Sequence, residues 1–148
     1  MKLYVAYGSN LNLEQMETRC PDARIFARGV IENYVLKYRG SKTGAYATII
    51  EEKGKHVPVL VWKISKNDER HLDIYEGFPR FYYKKWVDVT LENGEIIQGM
   101  AYIMFDEAKP GIPSDYYARA ILSGYLSNNL DTRVLFDSLI DNLKECEV

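Results

Sequence analysis

The chain has only two cysteines and two histidines, and their placement excludes the usual metal sites. Cys20 and Cys146 lie at opposite ends and His56 and His71 stand apart, so the close spacing of a zinc knuckle is missing and no metal is expected. Without the dense cysteine framework of a small secreted domain, both thiols are expected to be free. Excess charge is lacking as well: 19 basic against 21 acidic side chains create no field able to gather phosphate backbones or anionic lipid unaided. No apolar run approaches the roughly 20 residues that cross a bilayer, and Met1–Tyr7 turns polar too soon for a signal peptide. The glycines form neither Gly-x-Gly-x-x-Gly nor Gly-Lys-Ser/Thr, which sets aside the common nucleotide loops. These absences lead to the expectation of a soluble, cytoplasmic protein with no nucleic-acid and no membrane partner, whose function rests on a local site. Repeats, linkers and low-complexity segments are also missing. The 148 residues therefore read as a single domain over 1–148, long enough to bury about two-thirds of its unfolded surface.

Tyrosine is what the chain has in plenty, at 12 copies. Its apolar ring and polar tip suit interfaces and polar pockets as well as half-buried strands. Lys2–Tyr7 reads as a first strand, broken by Gly8-Ser9-Asn10 before Asn12 caps a helix over Leu13–Cys20, with Gln15 as the reciprocal capping partner and Pro21 as the stop. Arg28–Tyr38, Tyr46–Ile50 and His56–Ile64 are rich in β-branched and aromatic residues and are separated by Gly40, Gly44 and Gly54, which predicts three strands. Ser65, with Asp68 three positions on, predicts a helix through Leu72 and Tyr75 to a stop at Gly77. Tyr82–Leu91 and Glu95–Phe105 flank Glu92-Asn93-Gly94, a strong hairpin signal. Lys109–Pro113 is too broken for regular structure, Ser114 caps a helix over Asp115–Ser127, and Thr132–Glu145 forms another. Hairpin-joined strands with grouped helices predict an α+β fold, its mixed sheet curling towards a small β-barrel with flanking helices.

A strand that ends in Gly-Ser-Asn and leads into a helix presents successive backbone N–H groups and a positive dipole end to whatever sits above it. Gly8 admits close approach, and Ser9 and Asn10 add hydrogen bonds suited to a carboxylate or a developing oxyanion. Taken alone, the same segment also serves as an ordinary turn. Tyr7-Gly8-Ser9-Asn10-Leu11 near the start, with Glu76-Gly77 far downstream, resembles the γ-glutamyl cyclotransferase family. Val61-Trp62-Lys63, Leu72-Asp73-Ile74-Tyr75-Glu76-Gly77, Tyr102-Ile103-Met104 and Pro113-Ser114 with Tyr117 extend the resemblance, in order, over most of the chain.

The resemblance implies an intramolecular reaction, with no cofactor, in which the α-amine of a γ-glutamyl group attacks its own γ-carbonyl and releases 5-oxoproline and an amine or amino acid. It implies Glu76 as the catalytic base, and Tyr7, Gly8, Ser9, Asn10, Leu11, Tyr82 and Tyr117 as substrate-binding residues. Tyr83 competes with Tyr82, and Tyr4 is a further candidate for the border. The chemistry needs a base because only the free amine attacks. Against an ordinary glutamate pKa of about 4.3, proton transfer from an ammonium near 8 costs about 5 kcal/mol. The helix C-terminal dipole and drying by Leu72, Tyr75 and Phe78 favour a stronger base. The loop receives either the oxyanion or the substrate's α-carboxylate. Spacing after Glu76-Gly77 resembles relatives that act on γ-glutamylamines, while Arg80, Lys84 and Lys85 offer partners for a released amino acid's carboxylate. Two other readings stand beside this one: a binding module that holds a γ-glutamyl metabolite without turnover, and an interaction domain using its tyrosine-rich surface. The apolar spacing of Val134–Leu143 suits either the core or a homodimer.

Overall fold

The structure of the protein, a computed structural model, describes residues 1–147. Its strands are β1 (Lys2–Ala6), β2 (Arg24–Arg39), β3 (Tyr46–Ile64), β4 (Tyr82–Leu91) and β5 (Ile96–Met104). The helices are α1 (Leu13–Arg19), α2 (Lys66–Glu76), α3 (Asp115–Ser127) and α4 (Thr132–Cys146), and a short 3-10 turn covers Ser9–Leu11. The strands close into a barrel in the order β1-β3-β2-β4-β5. Every ladder is antiparallel except the closing contact between β1 and β5, where Tyr4 faces Met100. This is the mixed α+β barrel that the pattern of elements predicts.

Local chemistry explains most boundaries. Ser65 Oγ accepts from the Asp68 N–H at 3.0 Å while the Asp68 carboxylate accepts from the Ser65 N–H at 3.2 Å, a reciprocal cap that starts α2. Ser114 Oγ caps α3 through the Tyr117 N–H. Asn12 Oδ1 accepts from the Gln15 N–H at 3.0 Å, but Gln15 does not return the bond: the Asn12 N–H already donates to the Ser9 carbonyl, and Gln15 Oε1 is buried without a partner. The hairpin between β4 and β5 turns at Gly94, whose φ of 88° belongs to the left-handed region where glycine is favoured.

Three strands were expected between Arg28 and Ile64, and there are two. Tyr46–Ile50 and His56–Ile64 belong to one long β3 because β2, which starts already at Arg24, pairs with both. Pairing jumps from Glu32–His56 to Tyr34–Glu51, so Asn33 alone faces four residues of β3. Asn33 adopts φ 61° and its Oδ1 accepts from the Gly54 N–H at 3.1 Å. The glycine signal thus marks a bulge inside one strand rather than a gap between two. Lys109–Pro113 is irregular, held by isolated bridges from Pro110 to Arg39 and from Ile112 to Thr43.

Two features of the barrel prepare a site. β1 pairs only with Leu60–Ile64 of β3, so the edge of Tyr46–Ile50 that faces away from β2 has no strand laddered to it among the described residues. Helix α2 closes that region, and little apolar burial holds it there beyond Leu72. Ion pairs do part of the work. Glu69 meets Lys2 at 2.9 Å and Lys84 at 2.7 Å, and Asp73 meets Lys84 at 2.9 Å. Burial opposes ionisation of Glu69, but Lys84 and Lys2 hold its carboxyl below the usual range. Partly exposed pairs of this kind contribute up to about 1 kcal/mol each. Among the described residues, no helix is long and apolar enough to cross a membrane.

Candidate active site

After Ala6 the chain leaves β1 and folds into the 3-10 turn. The N–H groups of Leu11 and Asn12 bond back to the carbonyls of Gly8 and Ser9, both at 3.0 Å, and among the described residues no such bond occupies the N–H of Ser9 or Asn10. The turn is held from behind by α3. Leu11 is fully buried, and a Cβ on Gly124 would lie 2.5 Å from the Leu11 Cβ. Only glycine permits that approach. Asn128 Nδ2 donates to the Leu11 carbonyl at 2.9 Å and Asn12 Nδ2 to the Ala120 carbonyl at 3.2 Å. Leu11 therefore anchors the loop in the core and does not line the cavity in front of it.

In front, side chains fix the loop's polar groups. Asn10 Nδ2 donates to the Tyr4 hydroxyl at 2.8 Å. The Arg19 guanidinium donates to Asn10 Oδ1 and, at 3.4 Å, to Ser9 Oγ, and it lies 3.5 Å above the Tyr75 ring. The Tyr75 hydroxyl shares a 3.1 Å hydrogen bond with Ser9 Oγ. One cationic side chain thus links the loop to α2, the helix that ends in Glu76.

Glu76 stands at the last position of α2, and Gly77 (φ 65°) ends the helix as its N–H donates back to Asp73 and Ile74. Burial pushes the Glu76 carboxyl up to about 7, and the positive charge of Arg19 partly offsets that. The carboxyl opens on a cavity of about 20 Å³ shared with Tyr4, Tyr7, Gly8, Ser9, Asn10, Tyr82 and Tyr117, room for about one water. Glu76, Tyr82 and Tyr117 are also walls of an adjoining antechamber of about 420 Å³, completed by Tyr46, Ile74, Tyr75 and Phe81. A ligand larger than water reaches Glu76 from that side by moving side chains apart.

The tyrosine hydroxyls have specific backbone partners. The Tyr82 hydroxyl donates to the Ala47 carbonyl at 2.8 Å, and the Tyr117 hydroxyl accepts from the Ala47 N–H at 2.9 Å. Both peptide groups lie on the β3 edge that lacks a strand, so two side chains replace a ladder there. Thr48 Oγ1 fills the next position by accepting from the Met104 N–H at 3.0 Å. The Tyr7 hydroxyl donates to the Tyr102 carbonyl, and the Tyr102 hydroxyl to Asp73 at 2.6 Å. Burial holds the hydroxyls of Tyr4, Tyr7, Tyr82 and Tyr117 well above their ordinary pKa of 10, so they act as neutral dipoles. A Cβ on Gly8 would stand 3.2 Å from the Ala47 Cβ and 3.4 Å from the Tyr117 hydroxyl, so glycine keeps this space open.

The structure brings Tyr7, Gly8, Ser9, Asn10, Glu76, Tyr82 and Tyr117 to one cavity, together with Tyr4. Tyr83 points to the other face and packs on Phe105, with ring centroids 5.2 Å apart. Of the three basic residues after Gly77, Lys84 is engaged with Glu69 and Asp73, Lys85 with Glu51 at 3.5 Å, and Arg80 is exposed. Arg19, Ala47 and Tyr102 are residues that sequence reasoning did not assign to the site, while Tyr75, expected only to dry Glu76, also bonds Ser9. Arg19 shows no signal beyond its place at the end of α1, and Ala47 acts through its backbone. Cys20 and Cys146 are free, and no metal-binding group of three or more His, Cys, Asp or Glu is present among the described residues. A larger hollow, an open groove of about 930 Å³, has Phe81 as a wall and does not include Glu76. The smaller cavity is the one that joins Glu76, whose carboxyl burial pushes up to about 7, to the Ser9–Asn10 turn.

Comparison with known proteins places the chain in a family. A family model described as "Gamma-glutamyl cyclotransferase, AIG2-like" matches residues 4–119. The γ-glutamylcyclotransferase of Homo sapiens is 34% identical over 137 residues, covering 86% of this chain and 72% of that protein, and the Mus musculus protein is 31% identical over the same coverage. A solved structure described as a γ-glutamyl cyclotransferase superposes with a TM-score of 0.82 at 30% identity, over 93% of this chain and 85% of that one. YkqA from Bacillus subtilis shares the fold, with a TM-score of 0.79 at 18% identity over 97% of this chain and 55% of that one. The chain belongs to the γ-glutamyl cyclotransferase, AIG2-like family.

Proposed function

We propose that the protein is a γ-glutamyl cyclotransferase with Glu76 as the general base, acting on γ-glutamylamines. The observation that carries the reading is a carboxyl with a pKa of about 7 in the same small cavity as the Ser9–Asn10 turn. Against an ammonium near 8, this brings the cost of proton transfer to about 1.4 kcal/mol, in place of about 5 for an ordinary glutamate. The base is then matched to its task.

The substrate's γ-glutamyl group enters from the antechamber and displaces side chains to reach the loop. Glu76 takes a proton from the α-ammonium, and the freed nitrogen attacks the γ-carbonyl carbon to close a five-membered ring. Negative charge grows on the carbonyl oxygen, which N–H donors of the loop stabilise. The bond to the leaving nitrogen breaks as Glu76 returns protons to it. Two protons leave the α-nitrogen and two arrive on the departing amine, so Glu76 ends as it began and 5-oxoproline is released. Ring closure within one molecule leaves orientation as the main entropic task, which the fixed tyrosine hydroxyls serve.

The antechamber supports an amine rather than an amino acid as leaving group. Its walls beyond Glu76 are Tyr46, Ile74, Tyr75, Gly77, Phe81, Tyr82 and Tyr117, with no cation to meet a carboxylate next to the scissile nitrogen. Release of 5-oxoproline from γ-glutamyl-alanine and from γ-glutamyl-alkylamines, by the purified protein and by Glu76→Gln, tests both parts. Turnover of the alkylamines above that of the alanine conjugate, abolished in Glu76→Gln with the fold intact by circular dichroism, is the expected result. Saturable binding without turnover would leave a binding module instead.

A further inference from the structure

The groove beyond the antechamber has an apolar floor that includes Phe81, Met104, Phe105 and Ile112. Phe81, 61% exposed, is a wall of both spaces. Cavity, antechamber and groove are neighbours through shared walls: Glu76, Tyr82 and Tyr117 line the first two, and Phe81 lines the last two. The chemistry changes along it. The antechamber has no cation, whereas the groove's rim carries Lys42, Arg80 and Lys109. None of the three is in an ion pair among the described residues. Of the groove's two carboxylates, Glu145 is held by Lys37 at 3.1 Å and Arg39 at 3.6 Å. Glu107 remains as the single uncompensated acid against three cations.

We propose that this groove is a distal subsite for the leaving group: the released amine carries an apolar chain that passes Phe81 and ends in an anionic group held by Arg80, Lys42 and Lys109. The inference rests on the cyclotransferase reading and deepens it by naming the substrate class. A charge beside the scissile nitrogen finds no cation among the antechamber's walls. An anion several methylenes away lies past Phe81, where the rim is cationic and solvated, and the intervening chain covers the apolar floor. Charge at that distance selects between substrates more than it adds affinity.

Three conjugates decide the matter: γ-glutamyl-methylamine, γ-glutamyl-hexylamine and γ-glutamyl-6-aminohexanoate. Each is titrated calorimetrically into Glu76→Gln, while wild-type release of 5-oxoproline from the methylamine conjugate tests the cyclotransferase reading on its own. Kd is expected to fall about tenfold from methylamine to hexylamine, the effect of burying about two methylenes. A further fall of about threefold is expected for 6-aminohexanoate, the size of a solvated ion pair, and it should fade in high salt. Arg80→Ala in the same background brings the ratio between the last two compounds close to one. Equal Kd for all three, weaker binding of 6-aminohexanoate than of hexylamine, or a ratio that Arg80→Ala does not move, overturns the subsite even if the methylamine conjugate is turned over. Absence of both turnover and binding overturns the cyclotransferase reading and the subsite with it.

Discussion

Replacing Glu76 by glutamine should make the protein inactive and, above neutral pH, more stable. In the folded chain burial raises the carboxyl to about 7, whereas in the unfolded chain it ionises near 4.3. Between those values the folded state holds more protons than the unfolded one, so stability falls as pH rises through the window and levels off above 7. At 1.36 kcal/mol per pKa unit, the full cost of carrying the ionised carboxyl in its cavity is at most about 3–4 kcal/mol. Glutamine has nearly the same shape and no charge, so it escapes that cost. Glu76→Gln is therefore expected to unfold at a higher temperature than wild type at pH 8, by about 2–4 °C for each kcal/mol recovered, with the gap closing as pH approaches 5. Activity should move the opposite way. Loss of a general base costs about 10²- to 10⁴-fold in rate, and wild-type kcat/KM should fall tenfold per pH unit below about 7. Scanning calorimetry at pH 5, 6, 7 and 8 with both proteins, beside a pH–rate profile of the wild type, provides the test. A stability difference that does not change with pH, or an acid limb near 4.5, would refute the claim that burial makes this carboxyl a base.

Arg19 lowers the Glu76 carboxyl from the level burial alone would set, so Arg19→Ala should shift the acid limb of kcat/KM to higher pH. Arg19→Lys should keep the limb in place but raise KM, because lysine retains the charge and loses the two-pronged hold on Ser9 and Asn10. An unmoved limb in Arg19→Ala would separate Arg19 from the base. Tyr82→Phe and Tyr117→Phe each strip Ala47 of one hydrogen-bond partner, and each should cost about 1–3 kcal/mol in urea unfolding, the cost of a buried polar group left unpaired. Losses well under that would mean that water replaces the hydroxyls. Gly8→Ala drives a methyl against Ala47 and the Tyr117 hydroxyl. It should raise KM strongly at a stability cost of about 1–3 kcal/mol, and an unchanged KM would show that the substrate does not need that space.

What was legible in the sequence was what local bonds decide. Ser65, Ser114 and Asn12 cap their helices because a side-chain oxygen and an N–H two or three residues on are neighbours in any fold. The hairpin at Asn93-Gly94 likewise needs only its own turn. Gln15 failed as a reciprocal partner because Ser9, outside the helix, had already taken the Asn12 N–H. Gly54 was read as a strand end, but the strand it interrupts is held by β2, a partner that local sequence does not reveal. Alternation says that one of Tyr82 and Tyr83 faces inward; it takes the register Tyr82–Met104 against β5, and the closure of the barrel, to say which.

The cavity follows from the same long-range closure. A barrel of five strands with a short β1 leaves Tyr46–Ile50 without a ladder partner on one edge, and peptide groups in such a gap must find other partners. Tyr82 and Tyr117 supply them from β4 and α3, and in doing so bring two more aromatic rings beside Glu76. Those rings dry the carboxyl, and burial is the largest cause of its raised pKa. The same two side chains thus satisfy Ala47 and raise the Glu76 carboxyl toward the range the proposed base requires. Their substitution is therefore expected to disturb stability and the pH profile together, whereas changes at the exposed Arg80, beyond the antechamber, should alter only which leaving group is preferred.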